Sequence, residues 1–159
     1  MATAEAQREV DTWLAPMWWE LENEIWEKGP EDFEDLYNRD SLDVLEEFLL
    51  RRIPAGAAPN GPDYIDHMDW AARYFGETLV ENFEGCSWEP GKGRYSGLPV
   101  IAVPDGTGLQ ESPLSRLNIA LERRTGHELT RAYDAIAATV PARTTELPPL
   151  EERYVHLGD

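Results

Sequence analysis

The chain has 159 residues, with 14 Lys and Arg set against 31 Asp and Glu, a formal charge of −17. The length suits one domain with a real core, and six Trp, six Tyr and four Phe argue against disorder despite the charge. So acidic a surface repels nucleic acid and anionic membranes, and no apolar run approaches the roughly 18–20 residues that span a bilayer. It attracts a basic protein and speeds the encounter, although the plainer meaning of such a charge is solubility.

The N-terminus, Met1 to Asp11, lacks a basic patch followed by an apolar run, so no signal peptide is expected. The single cysteine, Cys86, has no partner for an internal disulfide, which fits a reducing, cytoplasmic setting. The charge is uneven. Residues 1–60 hold 15 acids and 5 bases, whereas residues 101–140 hold 5 acids and 4 bases. An acidic partner-binding face therefore belongs to the N-terminal part.

Ala2 to Lys28 is helical in composition but interrupted by Pro16, which lacks an amide donor and clashes with the carbonyl of Thr12. A kink or a new helix is expected there. Beyond it, Met17, Leu21 and Ile25 mark one face. Trp19 and Trp26, seven residues apart, share nearly the opposite face, among Glu20, Glu22, Glu24 and Glu27. A helix with apolar residues on two sides is either sandwiched in the fold or offers its second side to a partner. Aromatic anchors in an acidic field suit a binder of a basic protein.

Gly29-Pro30 is a stop, with Pro30 suited to the first turn of a next helix. Glu31, Asp32, Glu34 and Asp35 would then lie near its N-terminus, and Phe33, Leu36 and Tyr37 would be its buried side. Asp40 or Ser41 is expected to cap a further helix striped by Leu42, Leu45, Phe48 and Leu49 and closed by Arg51 and Arg52. Pro54 to Pro62, with three Pro, two Gly and three Ala, is a loop.

The central helix follows, with Ile65, Met68, Ala72, Phe75, Leu79 and Phe83 as its stripe. Gly76 beside that stripe allows close approach by a neighbour. Trp70 and Tyr74, with Glu77 and Glu81, form a second, polar-aromatic face, a further candidate for partner binding. Pro90-Gly91-Lys92-Gly93 is turn chemistry between Trp88 and the apolar Val100, Ile101 and Val103, the pattern of an antiparallel pair. Gly106 to Glu111 reads as a loop. Ser112-Pro113 starts a helix striped by Leu114, Leu117 and Leu121, and His127 to Val140 is a last helix. The tail lies extended against the body through Leu150, Tyr154 and Leu157, or is loose.

Chemistry-bearing patterns are scarce. His67, His127 and His156 show no metal-ligand spacing, so no metal or cofactor is expected. Cys86, with no activating neighbour, reads as a small buried hydrophobe. No nucleophile elbow or phosphate loop occurs, so no catalytic residue is assigned. Arg116, Arg123, Arg124 and Arg131 form either an anion-binding spot or a solvated face.

Ala72-Arg73-Tyr74-Phe75-Gly76-Glu77-Thr78-Leu79-Val80, followed by Gly85-Cys86-Ser87-Trp88, resembles a group of short acidic, mostly uncharacterised actinobacterial proteins. These carry a helix ending in Gly-Glu, a Gly-x-Trp-type strand, a second strand near Pro99 to Pro104 and a C-terminal helix begun by Ser-Pro. The resemblance covers roughly residues 70–137, leaves the Trp-rich N-terminus outside, and implies an immunity-like protein without catalytic residues. In this chain Cys86 and Ser87 lengthen the Gly-to-Trp approach.

The chain thus reads as a single α+β domain, mainly α, of about five or six helices with a small antiparallel sheet or hairpin. Residues 1–53 form an acidic Trp-rich helical part, 54–62 a loop, 63–140 the helix, hairpin and following helices, and 141–159 an extended tail. The expected function is non-enzymatic binding of a basic toxin or effector, without direct contact to nucleic acid or membrane. Trp19, Trp26, Glu20, Glu22, Glu27, Trp70 and Tyr74 are the expected contact residues. The alternatives are a regulatory protein whose acids mimic nucleic acid, and an enzyme built around Trp70, Tyr74, Glu77 and Glu81.

Overall fold

In the computed structural model, residues 3–31, 33 and 36–158 are described. Two helices come first, α1 (Ala4–Leu14) and α2 (Met17–Lys28), broken at Pro16 as proline chemistry requires. Val10 and Leu14 of α1, and Met17, Leu21 and Ile25 of α2, point into the core.

The helix expected from Pro30 does not form among the described residues. Glu31 lies in a turn, Phe33, Leu36 and Tyr37 are irregular, and Leu36 is exposed rather than buried. Asp32, Glu34 and Asp35 lie outside the described residues. Apolar residues at 33, 36 and 37 match a helical step, but Tyr37 takes a positive φ of 44°, which no helix continues through. Its amide donates to the Tyr74 hydroxyl at 2.9 Å, and its ring stacks on Tyr74 at 4.6 Å, so tertiary contacts hold this segment in place of helical ones.

Helix α3 (Arg39–Arg52) starts two to three residues earlier than a cap at Asp40 or Ser41 would place it. Asn38 is the cap, accepting from the Ser41 amide, while the Ser41 hydroxyl returns the contact as a capping box. Leu42, Leu45 and Leu49 are buried as the stripe requires.

The centre of the molecule is α4 (Ile65–Asn82). Every residue from Trp70 to Val80 is buried, because α2, α3, α5 and the sheet pack around it on all sides. One heptad face could not have shown this; a helix buried all round needs both its stripes apolar or internally paired. The sheet has three antiparallel strands: β1 (Ser87–Pro90), β2 (Pro99–Ala102) and β3 (Gln110–Glu111), in that order. The expected antiparallel pair of β1 and β2 forms, in a register that sets Trp88 opposite Ile101 and Glu89 opposite Val100. The third strand occupies what reads in sequence as a loop; it is only two residues long, opposite Ile101 and Ala102.

Gly76 is where the sheet meets the helix. A Cβ there would stand 2.1 Å from the Trp88 ring, so only glycine admits the indole.

Helix α5 (Pro113–Arg123) is capped by Ser112 with proline in its first turn, and α6 (Glu128–Ala137) follows across Gly126. The first amides of α6 are satisfied from another helix. The buried Glu46 carboxylate of α3 accepts from Glu128 N–H at 3.1 Å and Leu129 N–H at 2.8 Å. Conversely, the Arg124 guanidinium donates to the Leu50 and Ile53 carbonyls at the end of α3. The tail is ordered: α7 (Leu150–Arg153) lies against α2, and a short turn at Val155–Gly158 lies against α1. The architecture is therefore mainly helical with a small antiparallel sheet, but with seven α-helices among the described residues, the additional one being α7 in the tail. None of the described helices is long and apolar enough to cross a membrane.

Candidate functional site

Helix α2 builds the candidate site. With Met17, Leu21 and Ile25 buried, its 3.6-residue period turns Trp19 and Trp26 outward. Trp19 is 62% exposed and Trp26 90%, and Trp18 at the edge is 41% exposed. Of the two arrangements open to a helix with two apolar sides, this one presents its second side to solvent. The Asn23 side chain, between the tryptophans, donates to the Trp19 carbonyl at 3.0 Å. Exposed rings of this size are the kind of surface that partners cover.

The surrounding charge is negative. Glu22 and Glu27 are exposed on α2. Glu20 is partly buried; burial pushes its carboxyl above the ordinary value, Arg73 opposes this, and Asp69, Glu24 and Asp66 add to it. Glu24 holds Lys28 at 2.7 Å, which removes the one cation of this helix from the field. Trp26 also borders an open groove of about 1170 Å³ between the C-terminal halves of α2 and α3, lined as well by Phe33 and Phe48, by Lys28 on the α2 side and by Arg51 and Arg52 on the α3 side.

Trp70 and Tyr74 do not belong to this surface, which corrects their assignment as contact residues. Both are fully buried. The Trp70 indole donates to His67 Nδ1 at 3.2 Å; the Tyr74 hydroxyl donates to Ser41 Oγ at 2.8 Å. The physical reason is the central place of α4: its second aromatic face is covered by α3 and the segment before it, not by solvent.

The structure also brings together residues whose meeting the sequence does not announce. Glu77 of α4, with no exposed surface, accepts from Trp88 Nε1 at 2.8 Å, Arg153 Nη1 at 2.9 Å and the Tyr154 hydroxyl at 2.9 Å. Burial pushes the Glu77 carboxyl up; the indole, the guanidinium and the phenol pull it back. Arg153 reaches Glu81 as well, at 2.8 Å. On the other side of Trp88, whose ring meets Trp13 edge-on at 5.0 Å, the buried Arg73 lies over Trp13 at 4.0 Å and pairs with Asp69 at 2.8 Å. The Glu77 carboxyl thus takes hydrogen bonds from three donors, and it lines neither the α2–α3 groove nor the smaller cavity of about 160 Å³ beside Trp13 and Leu98. Its partners hold the tail in place.

The other chemistry-bearing residues are also engaged in structure. Cys86 is buried, and desolvation pushes its thiol up to about 11, away from reactivity. The basic group at 116–131 is paired. Arg116 grips Glu111 through two bonds, Arg123 and Arg131 flank the buried Glu128, and Arg124 serves the end of α3. Among the described residues, no cluster of three or more His, Cys, Asp or Glu is placed to hold a metal ion.

Compared with protein-family models, with curated proteins and with solved structures, the chain finds no match.

Proposed function

We propose that the protein is a non-enzymatic binding module whose acidic α2 face docks a basic protein, in the manner of an immunity protein that occludes a toxin or effector. The observation that carries this reading is the exposure of Trp19 and Trp26 on one acidic helix face, while the other described aromatic side chains, Trp18 aside, are at least partly covered. Glu20, Glu22 and Glu27 supply the steering field, and the two indoles supply the apolar area that resists dissociation. Trp70 and Tyr74 have no part in it.

The test is capture from the native cell at low salt with the tagged protein and with the W19A/W26A variant side by side. The reading expects a basic protein that wild type retains, that salt releases, and that the double variant fails to retain. Equal capture by both proteins contradicts it.

A further inference from the structure

Resting on that reading, we infer that the groove between α2 and α3 sets the orientation of the bound partner by taking a segment in which a basic and an acidic side chain flank an apolar one. The groove is bipolar. Its α2 wall carries Glu22 and Glu27 beside Trp26, with Lys28 tied to Glu24 at 2.7 Å, and its α3 wall carries Arg51 and Arg52 beside Phe48. Among the described residues, neither arginine forms an ion pair, although the chain has more than two acids for every base. Arg39, by contrast, on the same helix, is clamped to Asp134 through two bonds of 2.8 Å. The Arg52 guanidinium lies over the Phe48 ring at 5.6 Å, and the residue is exposed.

A uniformly acidic face attracts any basic surface and discriminates little among orientations. The Arg51–Arg52 wall changes that. A purely basic segment laid across the groove meets like charge on the α3 side, whereas a segment with a carboxylate on that side finds two donors. The apolar side chain between them lies among Trp26, Phe33 and Phe48. Repulsion of the wrong register, added to attraction of the right one, is how charge creates specificity.

The probes are three helical 13-residue peptides with one central Leu, flanked by Lys on one side and Glu on the other, by Lys on both sides, or by Glu on both sides. Binding is followed by the indole N–H signals of the isotope-labelled protein, assigned with W19A and W26A. The Lys/Glu peptide is expected to move the Trp26 signal at roughly fivefold lower concentration than the Lys/Lys peptide, the scale of two rim ion pairs. R51E/R52E is expected to reverse that order. If Lys/Lys binds wild type as well as or better than Lys/Glu, the orienting role of the arginine wall is overturned while the basic-partner reading stands. If neither Lys-bearing peptide moves Trp19 or Trp26, or if Glu/Glu binds best, both are overturned.

Discussion

Gly76 and Trp88 show how one missing side chain positions a sheet. The indole ring lies where a Cβ would be, and its N–H reaches Glu77 on the next residue of the same helix. G76A is therefore expected to lower stability by about 3 kcal/mol, at the upper end of overpacking costs, in denaturant unfolding. Close approach at Gly76 is legible from a glycine beside an apolar helical stripe; the identity of the approaching ring is not, because strand register decides it. His67 gives a second residue-level test. Burial lowers its pKa below 6.5, Arg52 and Lys28 lower it further, and Asp66 and Glu24 oppose them. The folded state then binds its proton less readily than the unfolded chain. Its contribution is complete above pH 6.5 and is lost as pH falls from there through the folded value. Protonation also removes the acceptor for the buried Trp70 N–H. H67N, which keeps an acceptor that does not titrate, is expected to flatten the stability profile over that window. An unchanged profile in thermal melts across pH would contradict this.

At the scale of elements, the helices are joined end to side by buried ionic groups. Glu46 closes the start of α6 from within α3, so E46A leaves two amides unpaired in the core; a loss of about 2 kcal/mol is expected in chemical denaturation. Arg153 plays the same part for the tail. R153A leaves the buried Glu77 without its cation, at a cost of about 3 kcal/mol. Adding E77Q in that background is expected to restore part of the loss, since no charge is then stranded, and a double-mutant cycle measures it. Helices α1 to α6 follow from apolar period, from Pro16 and Ser112 at two of their starts, and from Gly29 and Gly126 after their ends; the α3 cap, expected at Asp40 or Ser41, is Asn38. The failed helix after Pro30 does not follow in this way; for the tail, packing through Leu150, Tyr154 and Leu157 is one of the two expected arrangements and is found, but as the short α7 and not as an extended strand. In both, a few long-range contacts, Tyr37 on Tyr74 and Arg153 with Tyr154 on Glu77, outweigh local pattern. Nothing in the local sequence at 153 and 154 points to residue 77.

For the whole molecule, the charge and the exposed tryptophans point the same way. A −17 protein resists self-association by repulsion, and under the proposed function the indoles left in solvent on an acidic helix are therefore assigned to a cationic partner and not to a second copy. The candidate site was half legible. The seven-residue spacing of Trp19 and Trp26 against Met17, Leu21 and Ile25 placed them on a second face, and that face is open. The equivalent inference for Trp70 and Tyr74 failed because periodicity distinguishes two sides of a helix without saying how many neighbours surround it. W19A/W26A removes exposed rings only and is expected to change stability by less than about 0.5 kcal/mol, so its loss of binding would not reflect unfolding. The most direct measurement is hydrogen–deuterium exchange on the captured complex compared with the free protein. Binding through α2 predicts new protection concentrated on residues 17–31 and on the adjoining end of α3, with α5 and α6 unchanged. Protection centred on α5, α6 or the tail, with α2 exchanging as in the free protein, would contradict it.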